Sequence, residues 1–154
     1  MRKLLLLAVA IFALAPLALA DGAADYATFC ASCHGAKGQG TPGVFPPLTN
    51  WVGNFLKKDD GRAVLTHIIV FGMQGEIKVQ GKTYNSFMPP IANLSNEQVA
   101  AILNFVLTEW NKELLPKDFK PLTAEEVAEY RKKALTPADV YKERQDLAQE
   151  LDLE

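Results

Sequence analysis

The chain has 154 residues, of which 49% are hydrophobic and 22% are charged. This length suits a single domain with a buried core and excludes a TIM barrel or a two-domain dehydrogenase. The formal net charge of −2 argues against a nucleic-acid-binding protein, which carries a basic surface stripe. Because the chain has only two cysteines, it cannot form a scaffold held by several disulfide bonds.

The N-terminus has the pattern of a secretory signal peptide. A basic start precedes an unbroken apolar run over residues 4–14, and residues 18–20 read Ala-Leu-Ala, a small-x-small cleavage pattern. We predict that residues 1–20 are a signal peptide, cleaved after Ala20, and that the rest of the chain works in the periplasm. An uncleaved membrane anchor is the alternative, although the apolar segment is at the short limit for a span and Pro16 interrupts it.

Residues 21–33 are predicted to form a first helix, which ends on the two cysteines. Gly22, Tyr26 and Cys30 are spaced four apart, so they share one helical face. Cys30 and Cys33 are followed at once by a histidine, in the sequence Cys30-Ala-Ser-Cys33-His34. A Cys-x-x-Cys-His run is the attachment signature of c-type haem. Two thiols at this spacing reach the vinyl groups of one porphyrin edge, and the adjacent imidazole binds the iron.

Three other uses of these residues compete with haem attachment. An exported protein can hold a structural disulfide of this spacing, or a thioredoxin-like redox pair. The redox pair requires a preceding strand in a βαβ unit, and no strand pattern precedes Cys30. A zinc site needs both cysteines together with His34 and His67, and a histidine that abuts Cys33 is poorly spaced for tetrahedral coordination.

The middle of the chain predicts three further elements. Residues 38–48 are rich in glycine and proline and are expected to be irregular. Residues 59–71 have a helical pattern. Residues 76–84 alternate between apolar and polar around Gln80-Gly81, as in a small β-hairpin.

Three side chains are candidates for the sixth ligand of a haem iron. Met88 precedes two prolines in a rigid, non-helical loop, which can direct a thioether at a buried iron. Met73 follows the end of the predicted helix 59–71, where a packing role is expected. His67 lies within that helix, and a lone histidine there is usually a surface or a satisfied core residue. The context therefore favours Met88.

The C-terminal part predicts three more helices. Ser95 and Gln98 form a capping box for the first of them, and its apolar stripe requires a partner, for which the first helix with its small Gly22 is suited. The stripe consists of Val99, Ile102, Leu103, Val106 and Trp110. Residues 111–122 form an extended strap, and Thr123 and Thr136 each open a short helix. Residues 109–154 carry 12 acidic and 8 basic side chains, interpreted as a solvated helix face, with binding of a partner as the alternative.

Residues 21–110 resemble a class I monohaem cytochrome c. Three separated segments carry the resemblance: Cys30-Ala-Ser-Cys33-His34, Phe45-Pro46-Pro47-Leu48, and Tyr84-Asn-Ser-Phe-Met88-Pro89. The resemblance is greatest to bacterial respiratory cytochromes known from thermophiles, which have a hairpin before the methionine loop and a C-terminal extension. It implies a mostly α cytochrome c fold with a small β-hairpin, in which a 21–110 haem domain carries a helical extension over 111–154. It also implies that the Pro46 carbonyl accepts a hydrogen bond from the imidazole of His34.

This resemblance predicts a periplasmic electron carrier with one covalent haem c, ligated by His34 and Met88, and not an enzyme. The implied acceptor is a terminal haem-copper oxidase, and the donor is an upstream cytochrome complex or a dehydrogenase. The alternative is a haem c subunit of a periplasmic dehydrogenase complex, with the extension as its docking arm. We expect a monomer that binds no nucleic acid and meets the membrane only through its partners. Ala31 and residues 38–44 and 87–90, with Lys37 as the one charge beside them, predict an apolar docking surface.

Overall fold

The structure, a computed structural model, describes residues 20–153, so the predicted signal peptide lies almost wholly outside the described residues. Within them the chain is mostly helical, with one two-stranded antiparallel sheet. The helices are α1 (Gly22–Phe29), α2 (Ala31–His34), α3 (Gly61–Phe71), α4 (Asn96–Trp110), α5 (Ala124–Arg131) and α6 (Pro137–Glu150), and the strands are β1 (Ile77–Val79) and β2 (Lys82–Tyr84). Two 3₁₀ helices span Val52–Lys57 and Lys112–Leu114. This architecture confirms the predicted fold class.

Helix α1 packs closely against α4, as the apolar stripe of α4 predicts. A Cβ atom on Gly22 would lie 2.2 Å from the carbonyl oxygen of Ala101, so only glycine permits this approach. The Tyr26 ring then meets Trp110 edge-on at 4.9 Å between centroids, and Phe105 at 5.8 Å. This contact fixes the helix that ends on the first cysteine.

The prediction of one continuous helix over 21–33 is wrong at Cys30. Helix α1 ends at Phe29, and Cys30 has φ −117° and ψ −33°, well away from the helical φ near −63°. The Cys30 carbonyl then accepts from both Cys33 N (3.2 Å) and His34 N (3.0 Å), which closes a tight second turn. The break separates α2, and with it His34, from the axis of α1.

Helix α3 begins at Gly61, two residues later than predicted. The preceding 3₁₀ helix ends at Lys57, and Gly61 N donates to the Lys58 carbonyl across a turn (3.1 Å). The pattern of residues 52–57 is too short to show a helical period, which is why it gave no prediction. Four of its six residues are buried.

The hairpin and the predicted starts of the last three helices are confirmed. Strands β1 and β2 pair with Ile77 opposite Tyr84, and the turn residues Gln80 and Gly81 both have positive φ. Capping boxes open α4 at Ser95, α5 at Thr123 and α6 at Thr136. Helix α6 runs over 14 residues, longer than the predicted short helix.

The extension contributes to the same core as the haem domain. Val127 of α5 and Leu147 of α6 are buried in one cluster with residues of α1, α3 and α4. Val140 of α6 is fully buried in a second cluster, together with the hairpin residues Ile77 and Val79. No helix in the described part of the chain has the length and hydropathy needed to cross a bilayer.

Candidate functional site

An apolar cavity of about 110 Å³ is lined by residues from α1, α2, α3, α4, α6 and β1. Four of the five predicted site residues line it: Cys30, His34, Pro46 and Met88. Cys33 is half-buried on α2, beside His34, and is not among the lining residues. The rest of the lining consists mainly of apolar side chains from all parts of the chain.

The imidazole of His34 is held in one orientation. It is 9% exposed, and its Nδ1 lies 2.9 Å from the Pro46 carbonyl oxygen. A carbonyl oxygen only accepts, so Nδ1 carries the proton and donates. Burial lowers the pKa of His34, against the opposing effect of the hydrogen bond to Pro46. The ring is therefore neutral, with the lone pair of Nε2 available, which is the form that binds a metal.

The chemistry of the two cysteines argues against the thiol redox alternative. Both lie within the described residues and form no disulfide bond. Burial raises the pKa of the Cys30 thiol to about 11, with a further contribution from Cys33. A reactive redox pair requires a lowered thiol pKa, because the thiolate is the nucleophile.

The zinc alternative fails on the position of His67. Its Nδ1 lies 2.7 Å from Glu143 Oε2 and its Nε2 lies 3.2 Å from the Tyr130 carbonyl oxygen, so both ring nitrogens are engaged away from the cysteines. Among residues 20–153 no group of three or more His, Cys, Asp or Glu side chains is arranged to hold a metal ion. His67 is thus a satisfied core residue, as its context predicts.

Met88 is fixed by backbone pairing with Met73. Each residue donates its N–H to the other's carbonyl, at 2.9 and 3.0 Å, in an isolated antiparallel bridge. Gly72, with φ +74°, ends α3 immediately before this bridge, and a Cβ there would lie 2.5 Å from the Met88 carbonyl oxygen. Met73 is buried with the hairpin residues, which agrees with its predicted packing role, but it also lines the cavity.

Arg144 of α6 is a lining residue that the sequence did not predict. It is 2% exposed, its Nη2 donates to the Lys78 carbonyl oxygen (2.9 Å), and its guanidinium lies over the Phe55 ring at 5.8 Å. Among the described residues that line the cavity, it is the one that carries a permanent charge. Its position on an apolar helix face, beside Val140 and Leu147, is the one sequence feature that indicates that it is buried.

These residues fit a c-type haem. The apolar lining suits the faces of a porphyrin, two thiols at the required spacing suit its vinyl groups, and a neutral imidazole with a thioether suits the iron. The carboxylates of a haem require a cation when they are desolvated, and the cation of Arg144 lies at the cavity wall. Each chemical part of the group therefore has a matching side chain.

The surface beside Met88 is apolar. Val44 is 45% exposed and Phe87 is 51% exposed, and the Ser86 hydroxyl donates to the Val44 carbonyl oxygen (2.6 Å). This hydrogen bond joins the glycine-proline loop to the methionine loop. The two segments of the predicted docking surface therefore lie side by side.

Comparisons with known proteins agree with this site. The sequence model described as cytochrome c matches residues 19–110. The chain is 48% identical to a cytochrome c-552 of Thermus thermophilus over 131 residues, which is 85% of this chain and 88% of that protein. A second Thermus thermophilus cytochrome c-552 is 48% identical over 128 residues, 83% of this chain and 97% of its own length. The chain therefore belongs to the cytochrome c family and is a haem c electron carrier related to these thermophile proteins.

Proposed function

We propose that the protein is a periplasmic shuttle that delivers single electrons to a terminal haem-copper oxidase. Its haem c is attached through Cys30 and Cys33, with His34 and Met88 as the axial ligands. The observation that carries the proposal is that the Pro46-oriented His34 and the loop residue Met88 line the same apolar cavity. A bound haem c supplies a one-electron Fe(III)/Fe(II) couple.

The residues around the cavity favour the reduced state of such a centre. The Met88 thioether is a soft ligand, which stabilises the lower charge. The hydrogen bond from His34 Nδ1 to Pro46 fixes the ring and raises its basicity, and the apolar lining excludes water. We therefore expect the raised reduction potential typical of Met/His cytochromes. If His34 and Met88 both bind the iron, no coordination position would remain for a substrate, which supports a carrier and not a catalyst.

The position of the extension supports a free shuttle over a dehydrogenase subunit. A docking arm requires exposed apolar surface for its partner, but Val127, Val140 and Leu147 of the extension are all buried against the haem domain. Arg62 of α3 also holds Glu126 of α5 through two hydrogen bonds, at 3.0 and 2.8 Å. The exposed apolar patch of Val44 and Phe87 is available to an oxidase. The signal-peptide pattern supports the periplasmic location.

The ligation is tested by spectroscopy of two matched variants. Ferric haem with a methionine ligand has a weak far-red charge-transfer band, which we expect in the wild-type protein. Met88→Ala is expected to lose the band and Met73→Leu to keep it, because both residues line the cavity but only Met88 is assigned to the iron. The assignment is wrong if Met73→Leu loses the band and Met88→Ala retains it.

The acceptor is tested by mixing the reduced holoprotein with oxidase-containing membranes of its host and following haem oxidation in a stopped flow. Fast oxidation that cyanide blocks is the expected result. Slow or absent oxidation contradicts the shuttle to the oxidase and favours a dehydrogenase partner, which co-purification would then identify.

A further inference from the structure

One face of α6 lies along β1, on the edge of this strand that does not pair with β2. Three hydrogen bonds join them: Gln74 N to the Pro137 carbonyl oxygen (3.2 Å), the Tyr141 hydroxyl to the Glu76 carbonyl oxygen (2.9 Å), and Arg144 Nη2 to the Lys78 carbonyl oxygen (2.9 Å). On the helix these residues are spaced four and three apart, so they share one face. Their partners on the hairpin side, Gln74, Glu76 and Lys78, are every second residue of that segment.

This spacing follows from the geometry of an edge strand. Along a strand the backbone groups of successive residues point to opposite sides, and Ile77 and Val79 form the paired ends of the β1 ladder with β2. The carbonyl groups of Glu76 and Lys78 therefore face away from β2 and require other partners. Helix α6 supplies donors to both, and Val140 is fully buried beneath them.

The segment held by α6 leads directly to Met88. Gln74 follows Met73, which exchanges two backbone hydrogen bonds with Met88. The ring of Tyr141 also lies flat against Gly75, where a Cβ would come within 2.3 Å of it. A displacement of residues 74–76 would therefore be transmitted to Met88 through one pair of hydrogen bonds.

We infer that α6 is the element that positions Met88, and that Tyr141 is a positioning residue for the iron–methionine bond. The inference rests on the proposed function, since it takes Met88 as the sixth ligand. On either side of the Met88–Met73 pair, the loop is tied by Ser86 to Val44 and by Ile91 N to the Ile69 carbonyl oxygen. The backbone of Met88 itself pairs with that of Met73, and α6 holds the segment that follows Met73.

The experiment measures how readily imidazole displaces Met88 from the ferric holoprotein. Tyr141→Phe removes only the hydroxyl that donates to Glu76. Loss of one such hydrogen bond is expected to raise the apparent association constant of imidazole about fivefold. Val140→Ala, which removes packing under the same segment, is expected to act in the same direction.

Tyr130→Phe is the matched control. It makes the same chemical change in the neighbouring helix α5, where the Tyr130 hydroxyl makes no hydrogen bond within the described residues. Its imidazole association constant is expected to equal that of the wild type. Haem content from the Soret band and the far-red methionine band show that each variant is folded and ligated before imidazole is added.

The outcomes separate this inference from the proposed function. If the wild type has the far-red band but Tyr141→Phe and Val140→Ala both bind imidazole like the wild type, α6 does not position Met88 and the ligation still stands. The inference is equally overturned if Tyr130→Phe matches the effect of Tyr141→Phe. If the wild type lacks the band, the assignment of Met88 to the iron is wrong, and this inference falls with it.

Discussion

Replacing Glu143 by glutamine should show how much the ion pair with His67 contributes to stability. His67 is 3% exposed on α3, and its two ring nitrogens face Glu143 Oε2 (2.7 Å) and the Tyr130 carbonyl oxygen (3.2 Å). Both partners present acceptor oxygens to the ring nitrogens. The contact joins the haem domain to α5 and α6 at one point. Lys133 also donates to Glu143.

The expected loss of unfolding free energy in Glu143→Gln lies between the values for buried and for exposed ion pairs. Removing one partner of a wholly buried pair costs about 3–5 kcal/mol, and an exposed pair contributes about 0.2–1 kcal/mol. The Glu143 side chain is 23% exposed against 4% for His67, and a glutamine carbonyl still accepts from Nδ1. We therefore expect Glu143→Gln to lower the free energy of unfolding by about 2 kcal/mol at pH 7.

The pH dependence has a defined sign. Burial raises the pKa of Glu143, but hydrogen bonds from Lys133 and His67 outweigh it, so the net pKa is below the ordinary value of 4.5. A carboxyl group with a lowered pKa in the fold contributes stability above its unfolded pKa and loses it as the pH falls through the folded value. The difference between wild type and Glu143→Gln should therefore shrink as the pH falls below 4.5.

Urea denaturation of the holoprotein, followed by far-ultraviolet circular dichroism, measures this difference without the screening by salt that guanidinium adds. Glu129→Gln is the matched control, because Glu129 also contacts a lysine, Lys132, but its side chain is 66% exposed. The control should lose less than about 0.5 kcal/mol. An equal, small loss in both variants, unchanged between pH 7 and pH 4, would refute the reasoning.

Three further substitutions test the core, the helix contact and the docking surface. Asn111 is fully buried and forms four hydrogen bonds, so Asn111→Ala should cost about 3 kcal/mol or more in urea denaturation. Gly22→Ala should cost about 1–3 kcal/mol in the same assay, despite the higher helix propensity of alanine, because α4 leaves no space for a methyl group. Phe87→Asp should slow oxidation of the haem by host membranes about fivefold in the stopped flow. Lys37→Gln should leave this oxidation rate and its weak salt dependence unchanged. An oxidation rate that collapses between low and physiological salt contradicts an apolar docking surface.

Local sequence patterns predicted the elements whose causes are themselves local. The Gln80-Gly81 turn lies between alternating residues, and Ser95 and Thr136 each cap a helix with a side chain three residues away. The contact between Gly22 and α4 was also predictable, because a stripe of apolar residues requires a partner of matching size. In the turn and in the helix caps, the chemistry of a few neighbouring residues determines the structure.

The features that were not predicted depend on contacts between distant parts of the chain. Arg144 reaches the cavity from a helix more than a hundred residues after Cys30, and no local pattern marks which arginine will be buried. Asn111 was assigned to an extended strap, yet its side chain accepts from Trp51 N and Gly53 N, about sixty residues earlier. The break at Cys30 has neither glycine nor proline beside it to signal the end of a helix.

Most acidic side chains of the extension are exposed, as a solvated helix face predicts, but three of them also contact the haem domain. Glu126 pairs with Arg62, Glu143 with His67, and Glu150 with Lys58. Their contributions differ. The Lys58 pair is exposed on both sides and contributes little, whereas Arg62 also donates to the carbonyl oxygens of residues 120 and 121 and is held in a fixed geometry. Because most of the acidic groups lie on solvated faces and three pair with the haem domain, the charge asymmetry of the sequence is not by itself evidence for a basic partner.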